Sequence, residues 1–306
     1  MKPIESKRAA SFSSDDSVEI TIAPNAGACF GVVRAIKLGQ QAIARSGKDE
    51  TRPVFSFGPL IHNPKVVNEL EEKGVRTVND QAAVTSGTVI LRSHGVIREI
   101  ESEFKSRGVA VVDATCPLVE KPQRIAESLG GKGYFLVLVG DLNHPEVKGV
   151  VSYFGKPDFL VTYDPAEVDA IPDHVTKVGV LAQTTIEVKV LDKIVARLRE
   201  RFSEVVVYNT ICDATSIRQD EAASLARQAE VVVVVGGRNS SNTNKLVKIC
   251  KDVQKDTHLI EEIDEIDFGW FDGKRKIGIT GGASTPMEFV DSVGTHIAEV
   301  LSRGTT

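Results

Sequence analysis

Three of the four cysteines share one context. Cys29, Cys116 and Cys212 each follow a β-branched run and a short turn, and each opens a helical stretch; Cys250 lies inside a helical pattern and reads as packing. A disulfide framework does not suit a long chain with no Cys-x-x-Cys pair and no secretion signal. Three convergent thiolates suit zinc, with a histidine or water as fourth ligand, or an iron–sulfur cluster. A cubane cluster on three cysteines leaves one iron without a protein ligand, able to act as a Lewis acid and to pass electrons. The spacing leaves zinc and cluster both open, with buried small hydrophobes as the plain alternative.

Polar turns accompany the cysteines. Middle loops carry His62-Asn63-Pro64, His144-Pro145 and Ser240-Ser241-Asn242, each ahead of a helix; last turns carry His94, Thr184 and Ser284. Helix N-termini offer unpaired N–H groups and a positive dipole end. With His62, His94, His144, Ser240, Asn242 and Ser284 as further donors, the pattern describes a nest for phosphate or diphosphate. Glu146, two residues past His144, can hold and deliver a proton beside such a site, and Thr184 can orient that proton or a substrate hydroxyl. Singly, each residue also suits a bland role: a Ser or Asn at a helix start caps it, and a first-turn Glu favours the dipole. Six at matched positions favour the site. His174, His258 and His296 fall outside the matched loops. The chain has no Gly-x-x-x-x-Gly-Lys-Ser/Thr loop and no spaced-glycine dinucleotide fingerprint.

The elements that must position these residues recur three times. Strands Val18–Ala23, Val109–Asp113 and Val205–Tyr208 precede the cysteines, and helices at Val32–Arg45, Pro117–Leu129 and Ala214–Gln228 follow. Buried strands Val54–Phe57, Tyr134–Val139 and Val231–Val235 come next, break at glycine and enter the middle loops. From Cys29 to His62, Cys116 to His144 and Cys212 to Ser240 is 33, 28 and 28 residues. From the same cysteines to His94, Thr184 and Ser284 is 65, 68 and 72. The expected fold is therefore α/β: three similar domains with mostly parallel sheets, residues 18–115, 116–209 and 210–306, behind a disordered tail at 1–17. Ligands in such sheets sit beyond the carboxyl ends of the strands, where all three kinds of motif lie. A pseudo-threefold axis would bring the thiolates and polar turns to one centre.

Bulk properties agree with a cytoplasmic enzyme. The net charge of −5 advertises no nucleic-acid partner, and no stretch approaches the roughly 20 apolar residues of a membrane span.

Ala28-Cys29-Phe30-Gly31-Val32-Val33-Arg34-Ala35-Ile36, Asp113-Ala-Thr-Cys116-Pro-Leu-Val119, His144-Pro-Glu-Val147, Gln183-Thr-Thr185, Asn239-Ser-Ser-Asn242 and Gly282-Ala-Ser284 occur in that order. As a set they resemble the 4-hydroxy-3-methylbut-2-enyl diphosphate reductase family, the LytB-type iron–sulfur reductases, from about Ile20 to about Val300. Around Cys29 the chain reads Ala-Cys-Phe-Gly where that family often has Phe-Cys-Ala-Gly; cysteine and glycine remain. The resemblance implies three α/β domains around one central [4Fe–4S] cluster per chain, with Cys29, Cys116 and Cys212 on three irons. The fourth iron would take the substrate's hydroxyl oxygen. His62, His94, His144, Ser240, Asn242 and Ser284 would hold the diphosphate, with Ser241 close by. Glu146 would supply the proton and Thr184 would position the hydroxyl. The reaction implied is reductive dehydroxylation to isopentenyl and dimethylallyl diphosphate, the last step of the methylerythritol phosphate pathway, with ferredoxin or flavodoxin as electron donor. A different class of reading is a non-catalytic metal or redox sensor with a phosphate-ligand pocket.

Overall fold

Runs such as Phe135–Val139 and Val231–Val235 have no polar face to turn to water, so a strand built from them needs cover on both sides, the condition met in parallel α/β sheets. The structure, a computed structural model, describes residues 11–13, 18–46 and 52–303. Along the described chain run β1 (Ser11–Ser13), β2 (Glu19–Ile22), α1 (Phe30–Ser46), β3 (Val54–Phe57), α2 (Pro64–Glu72), β4 (Val75–Val78), β5 (Thr88–Leu91), α3 (Arg98–Ser106) and β6 (Ala110–Asp113). Then come α4 (Pro117–Gly131), β7 (Phe135–Val139), α5 (Pro145–Phe154), β8 (Phe159–Thr162), β9 (Lys177–Ala182), α6 (Val188–Arg201) and β10 (Glu204–Val207). The last stretch holds α7 (Asp213–Gln228), β11 (Val231–Val235), α8 (Ser241–Val253), β12 (Thr257–Ile260), β13 (Lys276–Gly281) and α9 (Met287–Arg303).

These strands form three sheets, ordered β4-β3-β5-β6, β8-β7-β9-β10 and β12-β11-β13-β2, with β1 added antiparallel to β2 at the edge of the third. Every other pairing is parallel. One topology is thus written three times: the first two strands of a repeat swap order, the third returns beside the first, and the strand leading to a cysteine closes the edge.

That closing strand departs from expectation in the first repeat. The reading from sequence gave the strand before Cys29 to residues 18–115, but β2 pairs with β13, Ile22 opposite Ile279, and so completes the sheet of the last repeat. The physical reason is that a β-branched run specifies a strand but not its partner, which tertiary packing chooses. In the segment expected as a disordered tail, Ser11–Ser13 pairs with Glu19–Thr21; the rest of 1–17 lies outside the described residues.

The chain divides into two compact units, one of residues 1–29, 62–64 and 213–306, the other of 30–61 and 65–212. In the first, Ile20, Ile22, Val231, Val233, Val235, Ile277 and Ile279 form a core against α9, and Val232 and Val234 pack on the opposite face with Ala222, Leu246 and Cys250. In the second, β7 and β9 are covered on one face by α6 and on the other by α4 and α5, while Phe55, Phe57, Val89 and Leu91 pack against α3. Among the described residues no helix is long and apolar enough to cross a membrane.

Candidate functional site

Each of the three cysteines is anchored in the same way. Its backbone N–H donates to a carbonyl in the last turn of the sheet it has just left: Cys116 to Ser93 at 3.0 Å, Cys212 to Thr184 at 3.0 Å and Cys29 to Ala283 at 3.0 Å. Those acceptors stand at or one residue before His94, Thr184 and Ser284. The strand closing a sheet therefore delivers its cysteine beside that sheet's last turn. All three cysteines are half-buried. Cys250 is different: α8 buries it fully, and burial pushes its thiol up to about 12.

In the unit holding Cys29, the Ser284 hydroxyl donates to the His62 carbonyl at 2.9 Å, which fastens the middle loop of one repeat to the last turn of another. Ser240 caps α8, its Oγ accepting from Thr243 N–H at 3.3 Å. Ser241 opens that helix, and Asn242 follows with its side chain only 5% exposed. Among the described residues neither amide atom of Asn242 meets a hydrogen-bond partner. An unsatisfied buried amide is costly, and at a helix N-terminus it suits an anion with acceptor oxygens. The loop ahead of Cys29 is held by α7: Glu221 accepts from Asn25 N–H at 2.9 Å and from its Nδ2 at 2.6 Å, and Arg218 donates to Gly27 O at 2.7 Å.

In the other unit, the rings of His94 and His144 meet edge to face with centroids 5.9 Å apart. His144 itself caps α5, Nδ1 accepting from Glu146 N–H at 3.2 Å, which leaves the ring proton of the neutral form on Nε2. Glu146 is 1% exposed and takes two hydrogen bonds from one residue: Thr184 N–H to Oε1 at 2.7 Å and Thr184 Oγ1–H to Oε2 at 2.7 Å. Burial pushes the carboxyl up to about 7, against the pull of both Thr184 bonds, which favour the ionised form. A carboxyl so poised both holds and gives a proton near neutrality. Arg34, on α1, donates to Thr115 O at 3.0 Å just ahead of Cys116. The sequence singles out Glu146 and Thr184, which the structure pairs, but not Arg34 or Arg218. Both lie on helices that read as ordinary amphipathic surfaces, and only their spacing of five and six residues past a cysteine marked them.

An all-thiolate donor set suits zinc and iron–sulfur clusters rather than hard cations. Three half-buried thiols on equivalent, backbone-fixed turns fit either group. Among the described residues no three His, Cys, Asp or Glu side chains already stand as a closed metal cage.

Comparison with known proteins agrees with these features. The family model described as LytB protein matches residues 20–298. A 4-hydroxy-3-methylbut-2-enyl diphosphate reductase of Pelobacter propionicus is 45% identical over 92% of this chain and 99% of its own. That of Geobacter metallireducens is 43% identical over 94% and 100%. A solved structure of (E)-4-hydroxy-3-methyl-but-2-enyl diphosphate reductase, described as the terminal enzyme of the non-mevalonate pathway, is 38% identical, with a TM-score of 0.68 over 92% of this chain and 99% of that one. A solved structure of the E-1-hydroxy-2-methyl-but-2-enyl-4-diphosphate reductase from Plasmodium falciparum, 26% identical, superposes with a TM-score of 0.82 over 90% of this chain and 86% of that one. With the family model spanning nearly all of the chain and relatives this similar at full length, the chain belongs to the LytB protein family.

Proposed function

We propose that this chain reduces 4-hydroxy-3-methylbut-2-enyl diphosphate to isopentenyl and dimethylallyl diphosphate, in the cytoplasm, with Cys29, Cys116 and Cys212 holding one [4Fe–4S] cluster. The observation that carries the reading is Glu146, a buried carboxyl pushed up to about 7 and locked by both donors of Thr184. A leaving hydroxyl needs such an acid. The relatives named above are reductases, and nothing among them supports a non-catalytic sensor.

His62, His94, His144, Ser240, Ser241, Asn242 and Ser284 bind the diphosphate, and anchoring that end fixes the carbon–oxygen bond at the other. The orphaned amide of Asn242 and the N-terminus of α8 support this seat. Cys29, Cys116 and Cys212 would hold the cluster, which would supply two electrons, one at a time, drawn from a ferredoxin or flavodoxin. Glu146, oriented by Thr184, gives its proton to the departing hydroxyl oxygen, which leaves as water. A second proton then adds to either end of the allyl fragment, and the end chosen decides between the two products. Two electrons and two protons thus replace hydroxyl by hydrogen.

The test is anaerobic conversion of the hydroxylated diphosphate with a chemical reductant. The reading expects both products from iron-loaded protein and none from protein loaded with zinc alone. Turnover by the zinc form overturns the cluster.

A further inference from the structure

We infer that Arg34 and Arg218 are positioning residues that seat two of the cluster cysteines and set the cluster's reduction potential. The inference rests on the cluster reading above. Arg34 lies five residues past Cys29 and Arg218 six past Cys212, yet each guanidinium grips the turn ahead of a different cysteine. Arg34 Nη1 donates to the carbonyl of Thr115, adjacent to Cys116, at 3.0 Å, and its Nη2 lies 3.5 Å from Asp113 O. Arg218 Nη2 donates to the carbonyl of Gly27, two residues before Cys29, at 2.7 Å, while its Nη1 reaches back to Ala214 O at 2.8 Å.

The grip suits arginine. A planar fork spans two acceptors at once and stays charged at every accessible pH, where lysine offers a point charge on a flexible stem. Arg218 is only 6% exposed, so its charge is little screened. The turn before Cys212 is fastened by neutral groups instead. Thr210 Oγ1 donates to Ala182 O at 2.5 Å and accepts Ala182 N–H at 2.9 Å, and Asn209 Oδ1 accepts Ile211 N–H at 3.0 Å. Two cysteine turns therefore carry a fixed cation, while Thr210 and Asn209 fasten the third through neutral groups. Net charge near an iron–sulfur cluster is among the terms that set its potential. A cation stabilises the reduced form, which carries one more electron.

The experiment uses the full chain, reconstituted anaerobically, with Arg34→Met, Arg218→Met, Arg34→Lys and Arg218→Lys. Iron per chain and the one-electron midpoint potential, followed by electron paramagnetic resonance, are the readouts. Each Met variant should shift the reduced-to-oxidised ratio about tenfold toward oxidised at fixed ambient potential, about 59 mV more negative. Each Lys variant, which keeps the charge but not the fork, should hold a potential closer to that of the unaltered protein than its Met counterpart does. A Met variant that takes up no iron while its Lys counterpart loads supports the same role, because a hydrogen-bonding cation restores in part a seat that an apolar side chain cannot. Loaded Met variants with unaltered potentials overturn the inference while leaving the cluster in place. Failure of the unaltered protein to take up iron overturns the cluster reading and the inference with it.

Discussion

At Glu146, burial and hydrogen bonding pull in opposite directions, and burial wins. The carboxyl titrates at about 7 in the folded chain against an ordinary 4.5. Between those values the folded state holds a proton that the unfolded chain has released. Its contribution to stability is therefore full below about 4.5 and is lost as pH rises toward 7, at up to about 1.4 kcal/mol per pH unit. Glu146→Gln keeps the shape without the titration. Urea midpoints of the unaltered protein should fall across that window relative to Glu146→Gln, and parallel curves would contradict the assignment. The same variant should bind diphosphate yet lose about 10² to 10⁴ in turnover, the usual cost of a positioned acid, measured as product formed with a chemical reductant. Near-normal turnover would return Glu146 to a purely structural role at the start of α5. Asn242 makes the converse case. Its amide is buried and unsatisfied among the described residues. Asn242→Leu should stabilise the ligand-free protein by about 1–3 kcal/mol in thermal or urea unfolding, since an uncompensated polar group is removed. Inhibition by inorganic diphosphate should weaken at least tenfold, roughly the loss of one hydrogen bond to a charged group. Loss of stability together with unchanged inhibition would remove Asn242 from the binding site.

Among the elements, the glycines that end the middle strands matter because the chain must turn sharply there into a helix N-terminus. Gly236, after β11, has φ +150°, and a Cβ there would lie 2.7 Å from Thr285 Oγ1 and 2.8 Å from Thr243 Oγ1. Gly236→Ala should destabilise the protein by about 1–3 kcal/mol and weaken diphosphate binding, because relief of the clash moves the start of α8. Normal binding by a destabilised variant would show that the turn serves stability alone. Much at this scale was legible in the chain itself. The run Val231–Val235 and the helix opened by Pro117 stand where periodicity and proline placement put them. The helix after Cys29 begins at Phe30, two residues earlier than its apolar pattern suggested, since Phe30 is exposed and Gly31 has no side chain to mark the buried face. What could not be read was partnership. No local feature of Glu19–Ile22 says that it pairs with β13, and nothing near Cys116 says that its N–H bonds to Ser93. Glu146 stands out in the sequence because it breaks the match among the three loops. The two hydrogen bonds from Thr184, 38 residues away, have no local signal, because the fold alone brings that turn to Glu146.

For the molecule as a whole, each sheet has its own apolar core, drawn from its own strands and the helices on its faces. None of these cores, drawn from the described residues, includes Cys29, Cys116 or Cys212. The fold should then survive loss of the cluster. Iron removal by an anaerobic chelator should abolish turnover while leaving the far-ultraviolet circular dichroism unchanged, and an unfolded apoprotein would contradict this division between site and scaffold. The central claim is that three particular thiols hold one cluster. The most direct test is iron and acid-labile sulfide per chain after anaerobic reconstitution of the unaltered protein and of Cys29→Ser, Cys116→Ser, Cys212→Ser and Cys250→Ser. The unaltered protein and Cys250→Ser should each hold about four of both, and the other three should fall well below. Full loading in any of those three, or loss of iron from Cys250→Ser alone, contradicts the assignment.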